Sequence, residues 1–414
     1  MISKNKVAIL LIVAILITAV VVGFGTYTFS TYFAVVNDNR VLMTKDEYTA
    51  LKTYREKYEK FENLINIANT EFLYEADEEK MMTGALKGML SALDDPYTEY
   101  LTAEELAALY ETTSGTYEGI GVYITASDDN KIMVVSPIED TPAEKAGLKT
   151  GDKIIKINDV EYPSDKMDAA IKVMKGAPNT SVKLTILRTT DDKQETFDVD
   201  VMREKIKIQT VKSSTLEDNI GYIRITTFDE QTASDFKTHL KKLQNTNIKA
   251  LVIDLRYNPG GLVNAAHEIT DMLIGEGIVT YTKTKAGVIN EYPSDANKLD
   301  IPYVLLVNEG SASASEIMAG AVKDTKSGTL IGTKTFGKGI VQNIRPFGND
   351  GAGIKMTVSE YFTPNDINIH GIGIEPDITL ELNKDATGYG FEYYDEDNQL
   401  QKAVEFLKEK MSSN

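Results

Sequence analysis

Residues 303–324 read YVLLVNEGSASASEIMAGAVKD, an apolar run followed by three alternating serines, Ser311, Ser313 and Ser315, and then a helix-prone segment. An aliphatic run that ends in a polar loop and enters a helix is the pattern of a buried strand feeding a crossover connection. The alternation recurs on both sides. IGYIRITTF, ALVIDLR and GTLIGT read as further buried strands, with TASDFKTHLKKLQN and AAHEITDML as helices between them. Residues 205–380 are therefore expected to form an α/β core. In such sheets reactive groups gather where strands end and helices begin, because those loops are held rigidly and helix N-termini favour negative charge. Three junctions qualify: DLRYNPGG at 254–261, VNEGSASASE at 307–316 and GTKTFGKGIVQ at 332–342. A serine in such a loop becomes a nucleophile only when a base takes its proton. Ser311 and Ser315 read as capping or packing residues, with Glu316 placed where a first-turn acid is favourable.

N-terminal to the core, residues 116–204 form a compact block. YEGIGVYIT starts a strand between glycines, IMVVSPI is a strand, TPAEKAG a short helix, GDKIIKIN a turn and strand, MDAAIKVMKG a helix, and VKLTILR and TFDVDVMR two alternating strands. This order, with TPAEKAGLKTGDKIIKIN in its middle, resembles a PDZ domain. The resemblance places a carboxylate-binding loop on Gly119, Ile120, Gly121 and Val122. Consecutive N–H groups in a glycine loop make a concave anion site, so a C-terminal carboxylate docks there while its chain adds a strand to the sheet edge.

The remaining segments are helical. Residues 37–115 carry YREKYEKFENLINIANTEFL and EEKMMTGALKGMLSAL, both amphipathic, and DDPYTEYL stops the second of them at Pro96. Residues 381–414 end in another amphipathic helix, DNQLQKAVEFLKEKM. At the N-terminus, Lys4 and Lys6 precede VAILLIVAILITAVVVGF, an uncharged run close to the roughly 20 residues that a membrane span needs. No A-x-A cleavage pattern follows it, so residues 1–36 are expected to hold a cytoplasmic N-terminus and an uncleaved signal anchor. The lysines orient everything after the span outside the cytoplasm, with Tyr27, Tyr32 and Phe33 at the far interface. The chain is thus expected to be a single-pass protein of the cell membrane.

Composition excludes several function classes. The chain has 414 residues, 42% of them hydrophobic, and a formal net charge of −18, which disfavours nucleic-acid partners. With no cysteine there are no disulfides, thiol nucleophiles or thiolate metal sites. The three histidines, His239, His267 and His370, have no metal-ligand spacing, so neither a metal nor another cofactor is expected.

The text DLRYNPGG, SASASEI and TFGKGIVQ, with DPYTEYL before the PDZ-like block and YFTPNDINIHGIGIEPDI after the core, resembles the carboxyl-terminal processing peptidases, or tail-specific proteases. These motifs stand in the family's order from about residue 60 onward. The resemblance implies a Ser–Lys serine endopeptidase, with Ser313 as nucleophile and Lys338, 25 residues later, as base. A lysine acts as a base only when neutral, and apolar burial, for which Phe336 and Ile340 are suited, lowers its pKa. The resemblance further assigns Gln342 to hold the lysine, and the backbone N–H groups of Ala314 and of Gly260 or Gly261 to the oxyanion. Many relatives carry Arg before the glycine after the PDZ helix, where it couples peptide binding to the active site. This chain has Lys175 there, which keeps the charge and loses the planar fork.

The expected partners are protein substrates with exposed, apolar C-terminal tails, together with a second copy of the chain, because the family's terminal helices support homodimers. The rival reading is a PDZ adaptor on an inactive peptidase scaffold, against which Ser313, Lys338 and Gln342 argue together.

Overall fold

The computed structural model describes residues 4–35, 42–190 and 193–412. The expected boundary at residue 36 lies outside the described residues, as do the side chains of Tyr32 and Phe33. The chain divides into two compact units, residues 1–88 and 89–414.

The first unit opens with α1 (Lys4–Tyr32), which over Lys4–Phe29 is long and apolar enough to cross a membrane. Two short antiparallel strands, Phe33–Val35 and Leu42–Thr44, precede α2 (Lys45–Glu71). Thr44 and Glu47 start α2 with a reciprocal capping box, which satisfies N–H groups that the first turn leaves open. Helix α3 (Glu78–Ser91) follows, and neither α2 nor α3 has a buried residue.

In the second unit, the strand Glu99–Leu101 and helix α4 (Ala103–Ser114) lead into the PDZ-like block. Its antiparallel sheet runs Lys193–Met202, Ser181–Thr190, Lys153–Ile157, Ile132–Pro137, Val122–Ala126. Helices α5 (Pro142–Lys145) and α6 (Met167–Met174) close a core of Ile132, Val134, Ile154, Ile157, Leu184 and Ile186. Thr116–Gly119 pairs with Glu204–Lys207 in a separate ribbon. Val122–Ala126 is therefore the last strand of its sheet, pairing only with Ile132–Pro137 among the described residues.

The core sheet has the order Val211–Thr215, Ile220–Ile225, Ala250–Asp254, Tyr303–Val307, Thr329–Gly332, Ile378–Thr379, parallel except for its first pair. Side chains alternate across it. Leu251, Ile253, Leu305 and Val307 join the cluster that includes residues of α7 (Thr232–Asn245), α8 (Val263–Asp271) and α9 (Ala314–Thr325). Val252, Val304 and Leu306 pack with α10 (Asn398–Ser412). Burial on both faces explains why these strands are apolar throughout.

A second, antiparallel sheet, absent from the sequence reading, runs Ile289–Ser294, Gly277–Thr284, Gly353–Phe362, Ile340–Pro346, and Glu99–Leu101 pairs with the start of Gly353–Phe362. The loops after Ala250–Asp254, Tyr303–Val307 and Thr329–Gly332 leave the same end of the parallel sheet, and these are the three junctions singled out from sequence.

Candidate active site

Ser313 stands immediately before α9 with φ 54° and ψ −113°, a left-handed backbone that costs a non-glycine residue about 1–3 kcal/mol. Its neighbours hold it there. Ser311 Oγ donates to the Leu255 carbonyl at 2.8 Å, and Ser315 Oγ to the Asn258 carbonyl at 3.0 Å, both fully buried. The expected packing role of these two serines is what they do, whereas the cap position falls on Ser313 itself. Ala312 N–H also donates to the Asn258 carbonyl, at 3.0 Å, so the DLRYNPGG turn is stitched to the serine loop.

Glu316, fully buried in the first turn of α9, does far more than favour a helix N-terminus. Its Oε2 accepts the backbone N–H groups of Ser313 and Lys338, each at 2.8 Å. Its Oε1 accepts Thr335 Oγ1 at 2.6 Å and Gly337 N–H at 2.7 Å. One carboxylate thus fixes the serine and the lysine loop to each other. The buried hydroxyl of Tyr361 repeats this on the other side of the backbone, its proton shared between the carbonyls of Ser313 at 3.0 Å and Lys338 at 2.6 Å. Burial, reinforced by the Glu316 charge, pushes the Tyr361 phenol well above its ordinary pKa, so it remains a donor. Sequence reasoning gave neither residue this role. Tyr361 opens the quoted YFTPNDINIH motif, and Glu316 is a carboxylate in a run of small residues.

Gly260 and Gly261 have φ of 100° and 139°. A Cβ on Gly260 would lie 2.8 Å from Ser313 Cβ and 2.9 Å from Ala314 N, which shows how closely the turn abuts the serine. Gly260 N–H is already taken by Asn258 Oδ1 at 2.9 Å. The N–H groups of Gly261 and Ala314 have no acceptor among the described residues. Beneath the turn, Arg256 is buried between Asp254 and Asp397, with contacts of 2.6–2.9 Å to both carboxylates and 2.9 Å to Gln399 Oε1. Burial works against the guanidinium's charge, and the two carboxylates outweigh it, raising its pKa.

Lys338 is half-buried, and burial, with Lys355 adding to it, lowers its pKa against the opposing charges of Asp95 and Glu316. Of the two residues expected to cover it, Ile340 is buried, whereas Phe336 is 59% exposed, and Lys338 Nζ lies 4.3 Å from the centre of the Tyr97 ring. No hydrogen bond joins Lys338 Nζ to Ser313 Oγ or to Gln342, whose Nε2 donates to Thr357 Oγ1 at 3.2 Å. A cleft of about 900 Å³ runs alongside, lined by Tyr97, Lys283, Ile340, Thr357 and His370.

In the PDZ-like block, Gly119, Ile120, Gly121, Val122 and Lys175 line one groove of about 280 Å³, with Ile124, Ile171 and Met174 as its apolar walls. Lys175 Nζ pairs with Glu111 of α4 and lies 5.5 Å from the centre of the Tyr117 ring. The Tyr117 phenol, pushed up to about 12 chiefly by burial, faces the backbone N–H groups of Val122 and Gly121.

Residues 219–380 match the profile described as Peptidase family S41, residues 119–201 that of the PDZ domain, and residues 19–105 that of the Activating protease CtpB N-terminal domain. A "Carboxy-terminal-processing protease" of Bartonella bacilliformis is 38% identical over 78% of this chain and 74% of its own length. The chain belongs to this family. The peptidase is also 38% identical to a "Probable CtpA-like serine protease" of Staphylococcus aureus, over 80% of this chain and 66% of that protein. A putative S41 protease from Bacteroides fragilis superposes with a TM-score of 0.52 at 15% identity, covering 83% of the peptidase and 96% of that chain, a likeness of fold alone. The peptidase is therefore a serine-type peptidase carrying a PDZ domain.

Proposed function

We propose that the peptidase is held in the cell membrane by α1, works outside the cytoplasm as a homodimer, and cuts proteins whose C-terminal tails its PDZ domain has captured. In this reading the tail extends the open edge of Val122–Ala126. Its carboxylate meets the Gly119–Val122 loop and Lys175, and its last side chain enters the groove beside Ile171 and Met174.

At the scissile bond, Ser313 Oγ attacks the carbonyl carbon while its proton passes to the neutral amine of Lys338, which Gln342 orients. The oxyanion is stabilised by the N–H groups of Ala314 and Gly261. Collapse breaks the C–N bond, and Lys338 returns the proton to the leaving amine. Water then attacks the acyl-Ser313 ester with the same lysine as base, releasing the acid and restoring the hydroxyl.

The observation that carries this reading is the convergence of the three loops. The Gly260 turn abuts Ser313, the N–H groups of Gly261 and Ala314 have no acceptor among the described residues, and the Ser313 backbone is tied through Glu316 to that of a lysine with lowered pKa. Incubating the protein with an unfolded reporter ending in apolar residues tests it. Wild type is expected to cleave and Ser313→Ala to bind the tail without cleaving. Binding by both with cleavage by neither would favour the adaptor reading.

A further inference from the structure

The DDPYTEYL turn has no part in the mechanism above, yet its aromatic ring is what the Lys338 ammonium touches. Among the described residues Lys338 Nζ makes no hydrogen bond and no ion pair, although the residue is half-buried and its backbone is fixed on both sides by Glu316 and Tyr361. Something else must set the position of Nζ. The Tyr97 ring lies 4.3 Å away, within the range where the negative face of an aromatic ring attracts a cation.

The ring is itself held. Tyr97 N–H donates to Asp95 Oδ1 at 3.0 Å, and Thr98 Oγ1 donates to Asp95 Oδ2 at 2.6 Å. Thr357 N–H donates to Thr98 Oγ1 at 3.0 Å, and Glu99–Leu101 pairs with the strand that also carries Tyr361. The same turn therefore engages both residues assigned to the base: Lys338 through the ring, and Gln342 through Thr357, which accepts its amide.

We propose that Tyr97 is a positioning residue for Lys338, its ring holding the ammonium form away from Ser313 and releasing the lysine when it loses its proton. This rests on the Ser313–Lys338 reading. A cation is attracted to the ring face and a neutral amine is not, so the contact selects one protonation state. The charged and titratable groups around Lys338 are Asp95 in the same turn, Glu316 on α9, Lys355 on Gly353–Phe362, Tyr361, which donates to the Lys338 carbonyl, and Asp94, Lys283, Lys285, Glu360 and His370, which line the cleft. None of these changes in a Tyr97 variant.

The test measures the rate at which a fluorophosphonate labels Ser313 in the full chain in detergent, as a function of pH. Tyr97→Leu keeps an apolar wall and removes the π face. Its midpoint is expected about half a pH unit below wild type. Tyr97→Phe keeps the ring and is expected to match wild type, and Tyr97→Trp, with a stronger face, to move the midpoint upward. A ring that only supported the fold would change the maximal rate and leave the midpoint in place. The proposal is overturned if the Leu midpoint stays or rises, or if Phe shifts as far as Leu. Labelling that survives Lys338→Ala would instead overturn the Ser–Lys reading on which it rests.

Discussion

Replacing Glu316 with glutamine removes one oxygen from a carboxylate that accepts four hydrogen bonds. The amide keeps a single oxygen. If that oxygen stays with Thr335 and Gly337, the new NH₂ group faces the N–H donors of Ser313 and Lys338. If it turns, the NH₂ faces the Gly337 N–H instead, with only the Thr335 hydroxyl able to rotate. In the first orientation two charge-assisted bonds are lost, and each is worth about 1.5–3 kcal/mol. Taking the lower figure twice, the assembled geometry loses about 3 kcal/mol, which is a little over a hundredfold in rate. The assay is kcat/KM for Glu316→Gln on an unfolded reporter, with circular dichroism in parallel to separate a misplaced site from an unfolded chain. A folded Glu316→Gln enzyme within about threefold of wild type would refute the clamp, because two N–H groups cannot lose their buried acceptor without displacing the loops they fix.

Two further outcomes follow from buried charge. Asp397→Ala leaves one flank of the buried Arg256 unpaired and is expected to lower stability by about 3–5 kcal/mol, measured by urea denaturation. Lys338→Met is expected to raise the melting temperature at neutral pH. Its sign follows from the lowered pKa of Lys338: between the folded value and the unfolded value near 10.5 the unfolded chain binds more protons, so wild-type stability rises with pH across that window. The gap between Lys338→Met and wild type should therefore shrink as pH approaches 10.5, and a gap independent of pH would contradict the assignment.

The parts of the site that sequence made legible are those made by one local segment. Each strand-to-helix junction carries its own Gly, Ser and Asn signals, and the junctions at 254–261, 307–316 and 332–342 do converge at one end of the sheet. The PDZ-like block was readable for the same reason, since its strands alternate and its turns carry glycines. What was hidden depends on chain returning from a distance. The four-bond role of Glu316 exists only because Thr335, Gly337 and Lys338 fold back over α9. The cover of Lys338 comes from Tyr97, on a turn before the PDZ domain, and not from the adjacent Phe336. The second sheet escaped because strands such as INEYPS are largely exposed and lack an apolar run. Between Gly260 and Gly261 sequence offered no choice; the bond from Gly260 N–H to Asn258 Oδ1 is the observation on which the proposed oxyanion donor is taken to be Gly261.

The central claim is that Ser313 is a nucleophile activated by Lys338. Its most direct test is the labelling of the full chain by a fluorophosphonate, with the modified peptide located by mass spectrometry in wild type and in Lys338→Ala. The adduct is expected on Ser313 alone, with its rate of formation falling at least about a hundredfold when the lysine is removed. An adduct on another serine, or equal labelling of Ser313 without Lys338, would contradict the account.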